Sequence, residues 1–466
     1  MFDVIIIGGG IVGACIAREL SKFKLDVVLL EKEPECSFGV SKSNSGIVHT
    51  GFQSPADTLK AKLAVRGNEL YSQLALELNF PLHRVGELIV ASSAEKTKLL
   101  ELYNNAQELC IPGVSIVDRN WLIQNEPALL PDIEWALLGE TAGITNPYEI
   151  VYALIENAQA NELIVKCEEK VLGIQRNDLY WEIKTSKDIY STKFVINAAG
   201  LFADEVSRLA GVKCEDILPR KGQEFLLDRH HGYITRRVIF PLPKEHSKGI
   251  LIIPTVDHNT MIGPTAEDVQ DKTDLSTTVE GKQKVIKSIQ ELIAAIHEKT
   301  IIASFAGLRP VATTDDFHIR EDKEGFINCL GIQSPGLTAA PAIAEMVVSM
   351  IRQTLRPENK DSFQPFRQAI PRFRDMTHEQ RNELVLADPD YGEVVCRCEL
   401  VTRAEIKEAV RRGAKTLDGI KFRTRCQMGR CHGSFCTMKI MTILRQELGI
   451  AYSDITKRGA GTNVVL

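Results

Sequence analysis

The spacing of apolar residues near the start of the chain changes twice. Positions 4–7 form a continuous apolar run, as in a short parallel strand buried on both faces. Val12, Cys15, Ile16 and Leu20 then recur at helical spacing, which predicts a helix with one buried face. Positions 27–30 are again continuously apolar and predict a second buried strand. The same reading predicts a helix over 60–78 carrying Leu63, Leu70 and Leu74, a strand over 87–91, and a helix over 93–109 opened by Ser93. Pro112, Pro127 and Pro131 make the stretch to about 141 irregular. A helix begins near Asn146 and runs to about 160, followed by a strand at 163–165 and β-rich sequence to 195.

Positions 194–204 (FVINAAGLFAD) read as a buried strand, a glycine turn and a helix. Strands of a separate sheet are predicted at 221–228 and 249–254, and an amphipathic helix over 277–299. A strand at 326–332 leads to a helix over 339–351, which Thr338 is placed to cap. From 356 to about 391 the chain is polar and proline-spaced, as in a linker. Beyond it Thr402 and Glu405 make a capping box for a helix to 412, and 434–448 predicts another.

Composition narrows the class. The 466 residues allow two or three domains. Apolar content of 44% and charged content of 25% are those of an ordinary soluble globular protein. A net charge of −5 offers no basic face for nucleic acid. No apolar stretch reaches the roughly eighteen residues that span a bilayer, and the apolar N-terminus lacks a basic leader. A cytoplasmic protein is expected, with peripheral attachment to the inner face of a membrane left open.

Chemistry enters at the first change of period. Gly8, Gly10 and Gly13 lie between the first strand and the first helix in G-x-G-x-x-G spacing. Such glycines permit a tight turn and close backbone approach to a pyrophosphate, which the helix N-terminus then binds. Glu31, at the end of the second strand, is placed to accept hydrogen bonds from a ribose hydroxyl. Nucleotide binding is the expectation. His49, between Gly46 and Gly51, reads either as a group beside a cofactor ring or as a structural histidine. Ala198, Ala199 and Gly200 suit close packing against a cofactor or against a helix equally well. Arg309, between Leu308 and Pro310, offers a fork for a carboxylate or phosphate, or is an ordinary surface arginine.

Eleven cysteines are unevenly spread. Cys15, Cys36, Cys110, Cys167, Cys214 and Cys329 stand singly and read as buried small hydrophobes. Cys396, Cys398, Cys426, Cys431 and Cys436 crowd together near the C-terminus, which favours metal over disulfides in a chain without an export signal. The Cys396-x-Cys398 and Cys431-x4-Cys436 pairs suit zinc or a 2Fe–2S cluster, and unliganded thiols are the third reading. A Cys426/Cys431 pair is also geometrically open. Lys421, Arg423, Arg425 and Arg430 surround the second pair and would favour thiolates.

Taken together, the glycine turn, NSGIVHTG (44–51), VINAAG (195–200), AGLRP (306–310) and SPGLTAAP (334–341) resemble the D-amino-acid-oxidase-type (glutathione-reductase-2) FAD flavoproteins. Within these the likeness is to catalytic subunits of anaerobic glycerol-3-phosphate dehydrogenases, with L-2-hydroxyglutarate oxidases as neighbours. The tail, with CRCE, LDGIKFRTR and MGRCHGSFC, resembles bacterioferritin-associated-ferredoxin-like 2Fe–2S domains.

The resemblance implies an α/β fold: a Rossmann-like FAD-binding domain over 1–85, 142–215 and 300–355, with an inserted antiparallel-sheet substrate domain over 86–141 and 216–299. A linker (356–390) and a small α-rich 2Fe–2S domain (391–466) follow. It implies FAD held by Gly8, Gly10, Ile11, Val12, Gly13, Glu31 and Val171, with Ser45, Gly46, Gly200, Gly336, Leu337 and Thr338 around the isoalloxazine. His49 becomes the residue near the ring and the base, Arg309 the clamp on a small anionic substrate, and Cys396, Cys398, Cys431 and Cys436 the cluster ligands.

Two departures stand out. Cys426 replaces a small residue, and Phe225 stands where relatives often carry a tyrosine, which predicts a missing substrate-contacting hydroxyl. The activity implied is oxidation of sn-glycerol 3-phosphate, with 2-hydroxy-acid or imino/amino-acid oxidation as alternatives and a non-catalytic electron-transfer subunit as a third class. Electrons would leave through the cluster to a redox partner, a second flavoprotein or a quinone-linked subunit.

Overall fold

The computed structural model describes residues 1–229, 233–243 and 249–465. Its first sheet has eight strands. Five of them run parallel in the order Phe326–Leu330, Ile189–Asn197, Phe2–Ile7, Val27–Leu30 and Ile164–Lys166. Val171–Arg176 and Trp181–Thr185 extend the sheet antiparallel from Ile189–Asn197, and His318–Lys323 pairs antiparallel with Phe326–Leu330.

The continuous apolar runs follow from double-sided burial. Val4, Ile6, Val27 and Leu29 pack under the helices Ile11–Leu20, Leu59–Leu78, Pro147–Ala160 and Gly336–Leu355. Ile5, Ile7, Val28 and Leu30 face the opposite layer, where Trp181, Ile183 and Val206 lie. Side chains alternate across a strand, so a strand covered on both faces has no position left for a polar residue.

The second sheet has nine strands. Its order is Glu267–Asp268, Leu218–Leu227, Thr260–Gly263, Leu251–Pro254, Val238–Pro241, Glu87–Ala91, Trp135–Gly139 and Val114–Asp118. It is antiparallel except where Val238–Pro241 runs parallel to Glu87–Ala91. Ile301–Val311 also belongs here, paired along Leu218–Leu227 with Arg309 opposite Arg220. The sequence assigned 300–355 to the nucleotide unit, and this strand departs from it because a ten-residue partner strand captures it. The helix expected over 277–299 stops early, at Val279–Gln290. Its Val285 and Ile289 cover one face of the sheet together with Phe225 and Leu227.

The C-terminal unit has its own core, with Ile406, Ala409, Ile420, Ile440 and Leu444 on the helices Arg403–Arg411, Leu417–Thr424 and Thr437–Leu448. The stretch 356–390 is no free linker. Arg367 and Arg372 pair with Glu156 and Glu149, Arg374 pairs with Asp257 and Glu399, and residues 378–387 form the helix His378–Ala387. Among the single cysteines Cys15, Cys36 and Cys329 are buried, whereas Cys110 is exposed in a turn with φ of 53°. No described helix is long and apolar enough to cross a membrane.

Candidate active site

The glycine turn is built by contact limits. A Cβ on Gly13 would come within 2.0 Å of the Gly8 carbonyl oxygen, and one on Gly8 within 2.5 Å of the Ala198 carbonyl oxygen. The helix Ile11–Leu20 therefore starts hard against the first strand and opens onto a cavity of about 410 Å³. Gly10, Ile11 and Val12 line the cavity beside the turn, and Ser45, Gly46 and Gly200 line it too. Gly336 and Leu337, at the start of the helix Gly336–Leu355, close it. Gly8 and Gly13 shape the turn from behind and are not lining residues.

Glu31 sits at the strand end as expected. Its Oε2 accepts from the Gly9 amide at 2.7 Å and its Oε1 from the Glu33 amide at 2.9 Å, while burial raises its pKa. Val171 opens the strand Val171–Arg176, packs with Ile5 and Val28 in the core, and does not line the cavity. Thr338 is not a cap either: it is the third residue of its helix and fully buried. Its hydroxyl accepts from the His49 amide at 3.0 Å and donates to the Ile47 carbonyl at 3.3 Å. It thereby fixes the segment that carries His49.

His49 lines the cavity and is buried. Its Nδ1 lies 3.3 Å from Oε2 of the fully buried Glu87, whose other oxygen accepts from the Thr50 amide at 3.2 Å. A carboxylate in that position selects the tautomer with hydrogen on Nδ1 and makes Nε2 the basic nitrogen. Arg309 and Arg220 also line the cavity, with Lys60 further along the wall. Arg309 donates to the Thr265 carbonyl at 3.3 Å, Arg220 pairs with Asp268 at 2.6 Å, and Lys60 pairs with Asp315 at 3.1 Å.

Alternation along Leu218–Leu227 puts Arg220, Gly222 and Glu224 on the cavity wall. The hydroxyl read as missing at 225 would not face the cavity in any case, because Phe225 packs in the core with Val285 and Ile289 and is not a lining residue. Glu224 is what the wall presents instead. Only 2% of it is exposed, Ser45 Oγ donates to its Oε1, and burial pushes its carboxyl up to about 7 against the pull of Ser45 and Arg309. Neither Glu224 nor Glu87 stood out in the sequence. Glu87 only opens an otherwise apolar strand, and Glu224 shares its strand with Arg220, Lys221 and Gln223.

In the C-terminal unit the five cysteines fall into two neighbouring sets. Cys398 Sγ lies 3.5 Å from Cys431 Sγ, and Cys396 lies beside Cys426 and Cys436. The amides of Glu399 and Gln427 lie towards Cys396, and those of Gly433 and Phe435 towards Cys431. Donors aimed at sulfur suit thiolates. Among the described residues no group of three or more His, Cys, Asp or Glu is arranged to hold a metal ion. The arginines expected to surround the thiolates serve elsewhere. Arg423 pairs with Glu35, Arg425 with Asp257 and Glu399, and Arg430 with Asp228, so they bind the unit to the rest of the molecule.

Residues 3–350 match the FAD dependent oxidoreductase (DAO) family model. The chain belongs to that family. Residues 394–446 match the BFD-like [2Fe-2S] binding domain model. The cofactors are therefore FAD and a 2Fe–2S cluster: the glycine turn opens on the cavity, and the C-terminal thiols lie in two sets, Cys398 beside Cys431 and Cys396 beside Cys426 and Cys436.

The chain is 40% identical to a glycerol 3-phosphate dehydrogenase of Caloramator mitchellensis, over 100% of this chain and 98% of that one. It is 25% identical to the anaerobic glycerol-3-phosphate dehydrogenase subunit A1 of Haloferax volcanii, over 98% and 84% of the two chains. Dithionite-reduced L-alpha-glycerophosphate oxidase from Mycoplasma pneumoniae with FAD bound superposes with a TM-score of 0.75 at 29% identity, covering 78% of this chain and 98% of that one.

Proposed function

We propose that this flavoprotein oxidises sn-glycerol 3-phosphate to dihydroxyacetone phosphate and delivers the electrons through its C-terminal unit to a redox partner. The observation that carries this reading is the 40% identity, across the whole length of both chains, to a glycerol 3-phosphate dehydrogenase. The cavity supports it, since one wall carries Arg309 and Arg220 for a dianionic phosphate. FAD in this cavity supplies a hydride acceptor and a 2Fe–2S cluster supplies single-electron transfer.

The chain's own residues divide the remaining work. Arg309 holds the phosphate and fixes the carbinol carbon, converting loose binding into one reactive orientation. His49, oriented by Glu87, receives the hydroxyl proton on Nε2. Cys396, Cys398, Cys431 and Cys436 ligate the cluster, with Cys426 buried beside them. Phe435 and Met438, both exposed next to these thiols, offer an apolar contact for the partner, which we infer to be a second flavoprotein or a quinone-linked subunit.

Steady-state turnover with an artificial dye acceptor tests the reading. Glycerol 3-phosphate is expected to support dye reduction, with L-2-hydroxyglutarate and imino acids at least about tenfold poorer in kcat/KM, a difference of roughly 1.4 kcal/mol. Preference for a 2-hydroxy acid or an imino acid would overturn it.

A further inference from the structure

Glu224 is an acid in a wall otherwise built to attract anions. It lines the cavity on the same strand face as Arg220, and Arg309 is the nearby cation that lowers its pKa. Its Oε1 is engaged by Ser45, but its Oε2 is buried with no hydrogen-bond partner. A buried acceptor without a donor costs free energy that a ligand hydroxyl would recover.

The identity of that ligand group follows from charge. In a phosphorylated vicinal diol the carbon next to the oxidised carbinol bears a hydroxyl, which donates to a carboxylate oxygen. In a 2-hydroxy acid the same position bears a carboxylate, which has no proton to give and repels an ionised glutamate at close range. The cations and the acid together thus suit a substrate with one anionic end and one neutral hydroxyl end.

We propose that Glu224 is a specificity residue whose Oε2 accepts a hydrogen bond from the hydroxyl adjacent to the reacting carbinol, admitting a diol phosphate and excluding a 2-hydroxy acid. This rests on the reading that the enzyme oxidises glycerol 3-phosphate. No bond is made or broken at Glu224, and the redox step itself is unchanged.

The test pairs two variants with two substrates in the FAD-loaded, cluster-loaded enzyme. One substrate is sn-glycerol 3-phosphate. The other is propane-1,2-diol 1-phosphate of matching configuration, which lacks only the adjacent hydroxyl. Wild type is expected to prefer the first by roughly 10- to 100-fold in kcat/KM. Glu224→Ala is expected to lose most of that factor on glycerol 3-phosphate and little on the deoxy analogue. Glu224→Gln, which keeps the shape and adds N–H donors, is expected to gain activity on L-3-phosphoglycerate, where a carboxylate replaces the hydroxymethyl group. Flavin content and melting temperature are read alongside, because a merely structural role would move those and penalise both substrates alike.

Equal losses on the two substrates, or none, would overturn the inference while leaving the glycerol 3-phosphate reading intact. A wild-type enzyme that ignores glycerol 3-phosphate would overturn that reading and this inference with it.

Discussion

Arg309 and His49 reach the same cavity from distant parts of the chain, and each is held by a different neighbour. Arg309 lies on Ile301–Val311 with its guanidinium on the Thr265 carbonyl, so the strand pairing fixes its reach. Arg309→Ala is expected to lower kcat/KM for glycerol 3-phosphate roughly 100-fold, about 3 kcal/mol, by removing a charged clamp. Bound flavin is expected to stay at wild-type level, which visible absorbance checks. Both residues stood out in the sequence, His49 between two glycines and Arg309 between Gly307 and Pro310, and both line the cavity. Glu224, Glu87 and the true role of Thr338 were not legible in the sequence. Which face of a strand meets a cavity depends on its neighbours, and a hydroxyl buried in a helix looks in sequence like one that caps it.

Individual elements show the same division. The first strand, turn and helix were readable because their contacts are local, and their tolerance is small. Gly13→Ala would drive a methyl group against the Gly8 carbonyl, so flavin content after purification is expected to collapse. The membership of Ile301–Val311 was not readable, because its partner lies about eighty residues earlier in the chain and periodicity carries no pairing information. The capping box at Thr402 was readable, but not what burial does to it. Glu405 accepts from the Thr402 amide at 2.7 Å in a buried site that raises its carboxyl to about 7. Its folded pKa lies above its ordinary value of 4.5, so its contribution is present below that value and is lost as pH rises through 7. Glu405→Gln keeps the box and is expected to be increasingly stabilising from pH 5 to 8, by up to about 3 kcal/mol. Urea unfolding followed by cluster absorbance at both pH values checks this.

The whole molecule joins a flavoprotein body to a 2Fe–2S unit, and its least legible feature was how the C-terminal unit is attached. Charged residues read as surroundings of the cluster turn outward and bind the larger body. Arg423 meets Glu35 in a buried pair that also receives the Thr416 hydroxyl, and Arg374 and Arg425 converge on Asp257 and Glu399. Sequence shows charges but not their partners hundreds of positions away. Breaking one side of a buried pair leaves an uncompensated charge and costs about 3–5 kcal/mol. Arg423→Ala is accordingly expected to loosen the unit and to speed limited proteolysis within 356–390, with the DAO-matching body remaining intact.

The central claim is that glycerol 3-phosphate delivers electrons to the flavin and that they proceed to the cluster of the same chain. The most direct measurement adds glycerol 3-phosphate to the fully loaded protein without oxygen, following flavin absorbance and the electron paramagnetic resonance of the cluster. The account predicts bleaching of the flavin together with the signal of a reduced 2Fe–2S cluster. An unbleached flavin, or a bleached flavin beside a cluster that stays oxidised under excess substrate, would contradict it.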